Sequence, residues 1–195
     1  MGQEHFALIG EAILAWNRTD HAISEFMCQA MQVPWLYWHD VVVRMDGSEQ
    51  KVDLIRARLR NDLGESHEAF VAIDNILGRY KGLKRYRDHL AHLALYFEIK
   101  AGITVQRRKV KTFYPTLGQL ETIATHMRTL IKDVEAAQRV FNLLYGNRGT
   151  HELVQLHYSN DPKTPQTQQS LQQYLQTARP LQSPKALTPL PELPK

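Results

Sequence analysis

Arg87-Asp88-His89-Leu90-Ala91-His92 gathers a permanent cation, a carboxylate and two imidazoles in one short run. An imidazole titrates near neutrality, which suits His92 to proton transfer. The Arg87 guanidinium stays charged and can make two parallel contacts to phosphate oxygens. Asp88 stands four residues before His92, so on a helix the two share a face. From there the carboxylate can set the imidazole tautomer or raise its pKa. Together these residue types suit proton transfer beside a phosphate. His89 reads as a solvent-facing or interface residue, with a second proton carrier as the alternative.

Cations surround this run. Arg79, Lys81, Lys84, Arg85 and Arg87 fall within nine residues, and Arg107, Arg108, Lys109 and Lys111 within five. Such clusters hold phosphates by releasing counterions. A solvated face is the alternative reading of each.

The elements that must position these residues are helical. Phe6, Ile9, Ile13, Trp16, Ile23, Met27 and Ala30 recur at three- and four-residue steps and predict a first helix from His5 to Met31. Asp20 interrupts this stripe and needs a partner, because burying a lone carboxylate is costly. The run Pro34-Trp35-Leu36-Tyr37-Trp38 is expected to pack over helix ends. Asp46 and Glu49 read as the cap of a second helix, with Val52, Ile55, Leu59 and Leu63 inside and Gly64 as its stop. Ser66 is expected to cap a third, lined by Phe70, Ile73, Leu77 and Tyr80, with an interruption at Gly82. Leu83, Tyr86, Leu90, Leu93 and Phe97 then continue the helical period.

From Tyr96 to Gln106 apolar and polar residues alternate about Ala101-Gly102, which predicts a short hairpin or extended excursion. Thr116 and Gln119 form a capping box. They open the clearest stripe in the chain, from Leu120 through Met127 and Val134 to Leu144, closed by Gly146. Seven of the nine prolines and seven glutamines lie between Asp161 and Pro194. That composition predicts a disordered tail over 159–195, with transient helix around Ser170 to Thr177. Its Pro-Leu-Pro run can act as a docking peptide, although a passive tail is the preferred reading.

Composition sets the outer bounds. The 195 residues, 43% of them hydrophobic, suffice for one helical domain, expected over 1–158. No apolar run reaches the roughly 20 residues of a membrane span, so no membrane partner is expected. The start lacks the pattern of a signal peptide, and the single cysteine, Cys28, suits a reducing compartment. A cytoplasmic address follows as the expectation. The nine histidines show no ligand spacing with Cys28, so no metal or other cofactor is expected.

The run Arg87 to His92 resembles the Arg-polar-x-x-x-His signature of the HEPN superfamily, helical domains that often act as metal-independent ribonucleases. A looser spacing also accepts Arg60 to His67, but Leu63-Gly64 ends a helix between them. Ile9 to Trp16 followed by Asp20-His21-Ala22-Ile23 is similar to the opening helix of small bacterial members. The order of elements over residues 5–145 is similar as well. Two positions depart from the pattern: Asp88 stands where Asn is usual, and Leu93 where Gly is frequent, which can restrict access to His92.

The resemblance implies an all-α, four- to five-helix HEPN-like bundle with a short β-like excursion before the last long helix. It implies a homodimer with a composite Arg/His site, because one histidine does not easily serve as both base and acid. It also implies RNA as substrate, with Arg87, Asp88 and His92 catalytic and Arg79, Lys81, Lys84 and Arg85 guiding the backbone. A toxin or phage-defence role, under an antitoxin or other regulatory protein, belongs to the same expectation. Two alternatives stay open. One is a non-catalytic HEPN-like domain that binds a partner protein or a nucleotide. The other is a plain helical dimer built on the last long helix.

Overall fold

The computed structural model describes residues 2–33, 37, 40–42, 45, 47–100, 114–145, 165–177 and 187–193. Helix α1 spans Gln3–Ala30, α2 Ser48–Leu63, α3 Glu68–Lys100, α4 Leu117–Tyr145 and α5 Pro165–Thr177. Among the described residues there is no strand, and the fold is all-α. No helix among them is long and apolar enough to cross a membrane.

Each helix buries the stripe that its sequence spaces at three and four residues. Ile9, Ala12, Trp16, Ile23 and Met27 of α1 are buried, as are Leu120, Met127, Leu130, Val134 and Phe141 of α4. These two helices form the most extensive interface of the bundle. Phe26 meets Phe141 edge to face at 5.3 Å. The Gln138 amide donates to the Ala22 carbonyl at 3.1 Å, and Arg128 pairs with Glu11 at 2.6 Å. The contacts ascend both helices in the same order, so α1 and α4 are parallel. Arg56 reaches Asp74 and Lys81 reaches Asp53, so α2 and α3 run antiparallel.

Helix ends follow local rules in some places and depart from them in others. Thr116 and Gln119 close the expected capping box: the Thr116 N–H donates to Gln119 Oε1 at 2.9 Å, and the Gln119 N–H to Thr116 Oγ1 at 3.3 Å. Gly64 ends α2 at φ +83°. The N-cap of α2 is Gly47, which makes no side-chain cap bond, where Asp46 was expected. His67 rather than Ser66 caps α3, its Nδ1 accepting from the Ala69 N–H at 3.2 Å. Helix α1 ends in a Schellman turn, with Val33 N–H on the Cys28 carbonyl and Gln32 N–H on that of Gln29. Gln32 occupies the left-handed position at φ +57°.

Two expectations about α3 need correction. It passes through Gly82 without a break, and it continues to Lys100, so residues 96–100 are helical rather than extended. Glycine costs a helix about 1 kcal/mol relative to alanine. Burial of Phe70, Ile73, Leu77, Tyr80, Leu83, Leu90 and Leu93 along the inner face outweighs that cost. The rest of the expected excursion, the cations Arg107 to Lys111, most of Pro34 to Trp38 and Gly146 lie outside the described residues.

Within the stretch expected to be a disordered tail, α5 forms and buries Leu171 and Leu175 in the core. Its glutamines are compatible with an amphipathic helix once two leucines one turn apart find a surface. Residues 187–193 then lie against α3 and α4, where Tyr86 Oη donates to the Pro191 carbonyl at 2.7 Å.

Candidate functional site

The Arg87 to His92 run sits in the continuous part of α3. Leu90 and Leu93 are fully buried and fix the rotation of the helix about its axis. That rotation leaves Arg87, Asp88 and His89 half-buried and turns His92 to solvent. Leu93, where the resemblance favours glycine, anchors the turn in the core and leaves His92 exposed.

Asp88 is the junction of the charged face. Its carboxylate accepts from Lys84 Nζ at 2.9 Å and from Arg87 Nη1 at 3.0 Å. Burial acts to raise its pKa, but the hydrogen bonds and charges of Lys84 and Arg87 prevail and hold it below the usual carboxylate value. The bonds of the Asp88 carboxylate thus go to the two cations and not to the His92 imidazole. Arg87 Nε is buried without a partner among the described residues, and the charge of Arg87 acts on the Tyr80 hydroxyl.

Below this face lies a polar knot that positions it. Tyr80, two turns before Arg87, donates to Asp20, and Lys51 pairs with the same carboxylate at 3.0 Å. The Tyr80 ring stacks on Trp16, with centroids 4.7 Å apart and planes 7° from parallel. Burial, the bond to Asp20 and the charge of Asp20 push the Tyr80 phenol well above its ordinary value, against smaller opposing effects of Ser48 and Arg87. The partner that Asp20 requires is therefore this pair from α2 and α3.

The cations expected to guide RNA are separated by their partners. Arg79 pairs with Asp133 of α4, whose side chain is 4% exposed. Burial raises the Asp133 pKa, and Arg79 only partly offsets this. Lys81 stands 3.9 Å from Asp53, and Lys84 is held by Asp88. Arg85 is exposed beside a groove between α3 and α4.

Sequence reasoning passed over Tyr86 and His126, which both bond the carbonyls of residues 187–193 across that groove. The readable signal was Leu187, Leu190 and Leu193 at a spacing of three, interleaved with Pro189 and Pro191. Cys28 is buried and its thiol is pushed up to about 11 by burial and by Glu25, with Lys51 opposing, which makes it a poor nucleophile. Among the described residues no group of three His, Cys, Asp or Glu is placed to hold a metal ion. Compared with family models, curated proteins and solved structures, the chain has no match.

Proposed function

We propose that this chain is a metal-independent endoribonuclease of HEPN type, acting as a homodimer in a toxin or phage-defence setting. The observation that carries this reading is the exposure of His92, five residues beyond Arg87, on a helix anchored by Leu90 and Leu93. A histidine in that position is open to a substrate and to a second copy of the same face. One His92 removes the proton from a ribose 2′-hydroxyl, and that oxygen attacks the adjacent phosphorus. The bond to the 5′-oxygen breaks, and the partner's His92 protonates the leaving oxygen. Arg87 stabilises the charge on the equatorial oxygens, and Asp88 holds the Arg87 fork in place.

The test incubates purified wild-type and His92→Ala chains with total RNA in chelator and assays for 2′,3′-cyclic phosphate ends. Cleavage by the wild type alone supports the reading. Absence of cleavage, in the presence of any co-encoded partner protein, refutes it.

A second reading is a non-catalytic HEPN-like helical dimer that binds a partner protein or a nucleotide. It is favoured by the ion pairs of Arg79, Lys81 and Lys84, which commit three expected RNA contacts to acids of the same chain.

A further inference from the structure

Leu187-Thr188-Pro189-Leu190-Pro191-Glu192-Leu193 lies along a groove of about 650 Å³. Arg79, Leu83, Arg85 and Tyr86 of α3 and His126 of α4 form its helical walls, and Leu190, Glu192 and Leu193 of the segment itself line the remaining side. Leu187, Leu190, Pro191 and Leu193 are half-buried, whereas Thr188, Pro189 and Glu192 are exposed. The three leucines recur at every third residue.

A polyproline II helix has three residues per turn and rises about 9 Å in each. It therefore aligns every third side chain on one face. Pro189 and Pro191 fix φ near the required value and carry no N–H that needs a partner. The same period governs the backbone contacts. His126 Nε2 lies 2.8 Å from the Thr188 carbonyl, and Tyr86 Oη 2.7 Å from the Pro191 carbonyl. A carbonyl only accepts, so the imidazole carries its hydrogen on Nε2. The two accepting carbonyls are three residues apart, as are the leucines. One face of the segment thus supplies both the apolar and the polar contacts, and Leu190 packs against the core. Charge agrees with this seating: Glu192 and Arg85 both line the cavity beside Tyr86 and act on its hydroxyl with opposite sign.

Two side-chain donors that reach carbonyls three residues apart, an apolar wall and a cationic rim are the elements with which proteins read proline-bearing peptides. We propose that the α3–α4 groove is a recognition site for extended proline-bearing segments of a partner protein, with leucines at every third position and an acid near the end, and that Leu187 to Leu193 is its tethered occupant. The tail competes from an effective concentration near the millimolar range, so a partner segment engages once the tail is released. Few buried contacts hold the tail, which sets it among the first elements to open. This site is independent of the Arg87 and His92 reading.

The probe is a labelled, amidated heptapeptide of the 187–193 sequence, titrated into full-length chains and followed by fluorescence anisotropy. Leu190→Asp weakens the tail within its own chain and should bind the peptide at least tenfold more tightly than the wild type. Adding Tyr86→Phe and His126→Ala to that variant should reduce binding at least tenfold. Equal affinity of wild type and Leu190→Asp, or binding indifferent to the groove substitutions, overturns the proposal. Tail exchange between two copies, seen as a concentration-dependent dimer that Leu190→Asp converts to monomer, also overturns it.

If Leu190→Asp fails to fold, Tyr86→Phe/His126→Ala in the otherwise native chain supplies the answer. Cleavage of the Glu192–Leu193 bond by a glutamate-specific protease should then accelerate at least tenfold while α3 and α4 stay intact. An unchanged cleavage rate refutes the groove contacts.

Discussion

The indole of Trp16 lies flat on the ring of Tyr80, with centroids 4.7 Å apart. This stack joins α1 to α3 directly beside the bond from Tyr80 to Asp20. Trp16→Ala should lower unfolding free energy by about 3–5 kcal/mol. Tyr80→Phe keeps the stack and removes the donor, at about 1.5–3 kcal/mol. Urea unfolding measures both. Because the folded-state pKa of Tyr80 is raised, the unfolded chain releases its proton above the ordinary value of 10.0 while the folded chain retains it. Stability therefore falls as pH rises past that value, and Tyr80→Phe should flatten the decline.

Asp88 and Asp133 give acid-range stability opposite signs. The Asp88 pKa is lowered, so its contribution is present above the ordinary value of 3.8 and is lost as pH falls through the folded value. The Asp133 pKa is raised, so its contribution is complete below 3.8 and is lost as pH rises through the folded value. Denaturant midpoints between pH 3 and pH 7 should therefore show a shallower acid loss in Asp88→Asn and a steeper one in Asp133→Asn. The same slope in both variants would contradict this assignment.

Exposure of His92 separates catalysis from stability. On the ribonuclease reading, His92→Ala should lower RNA cleavage by about 100-fold or more and change stability by less than about 0.5 kcal/mol. Arg87→Lys keeps the charge and loses the fork, which should cost about 100- to 1,000-fold in cleavage rate. Equal cleavage by wild type and Arg87→Lys would remove Arg87 from the mechanism.

Two backbone positions should accept stabilising changes. A Cβ at Gly78 meets nothing within 4 Å, and its helical backbone suits alanine. Gly78→Ala should add about 0.5–1 kcal/mol by thermal or chemical unfolding. Gln32 at φ +57° holds a conformation that glycine adopts without steric cost. Gln32→Gly should add a similar increment of about 0.5–1 kcal/mol, and a loss of stability would show that the Gln32 side chain contributes more than its backbone strain costs.

The sequence alone determined what depends on neighbours within one or two turns. The apolar stripes of α1 and α4, the Thr116–Gln119 capping box and the Gly64 stop were all legible, because each rests on local spacing. The alternation about Ala101 misled over 96–100, where α3 remains helical. Only the tertiary structure decided matters set by distant partners. It carried α3 through Gly82, because burial along the whole inner face exceeds one glycine's helix penalty. It supplied Asp20 with Lys51 and Tyr80, and committed Arg79 to Asp133. It also drew α5 and Leu187 to Leu193 out of a composition that reads as disorder, since Leu171, Leu175 and Leu190 find surfaces made by helices far away in sequence. For the Arg87 to His92 run, the sequence supplied residue types and spacing. The packing of Leu90 and Leu93 decided which of them faces solvent.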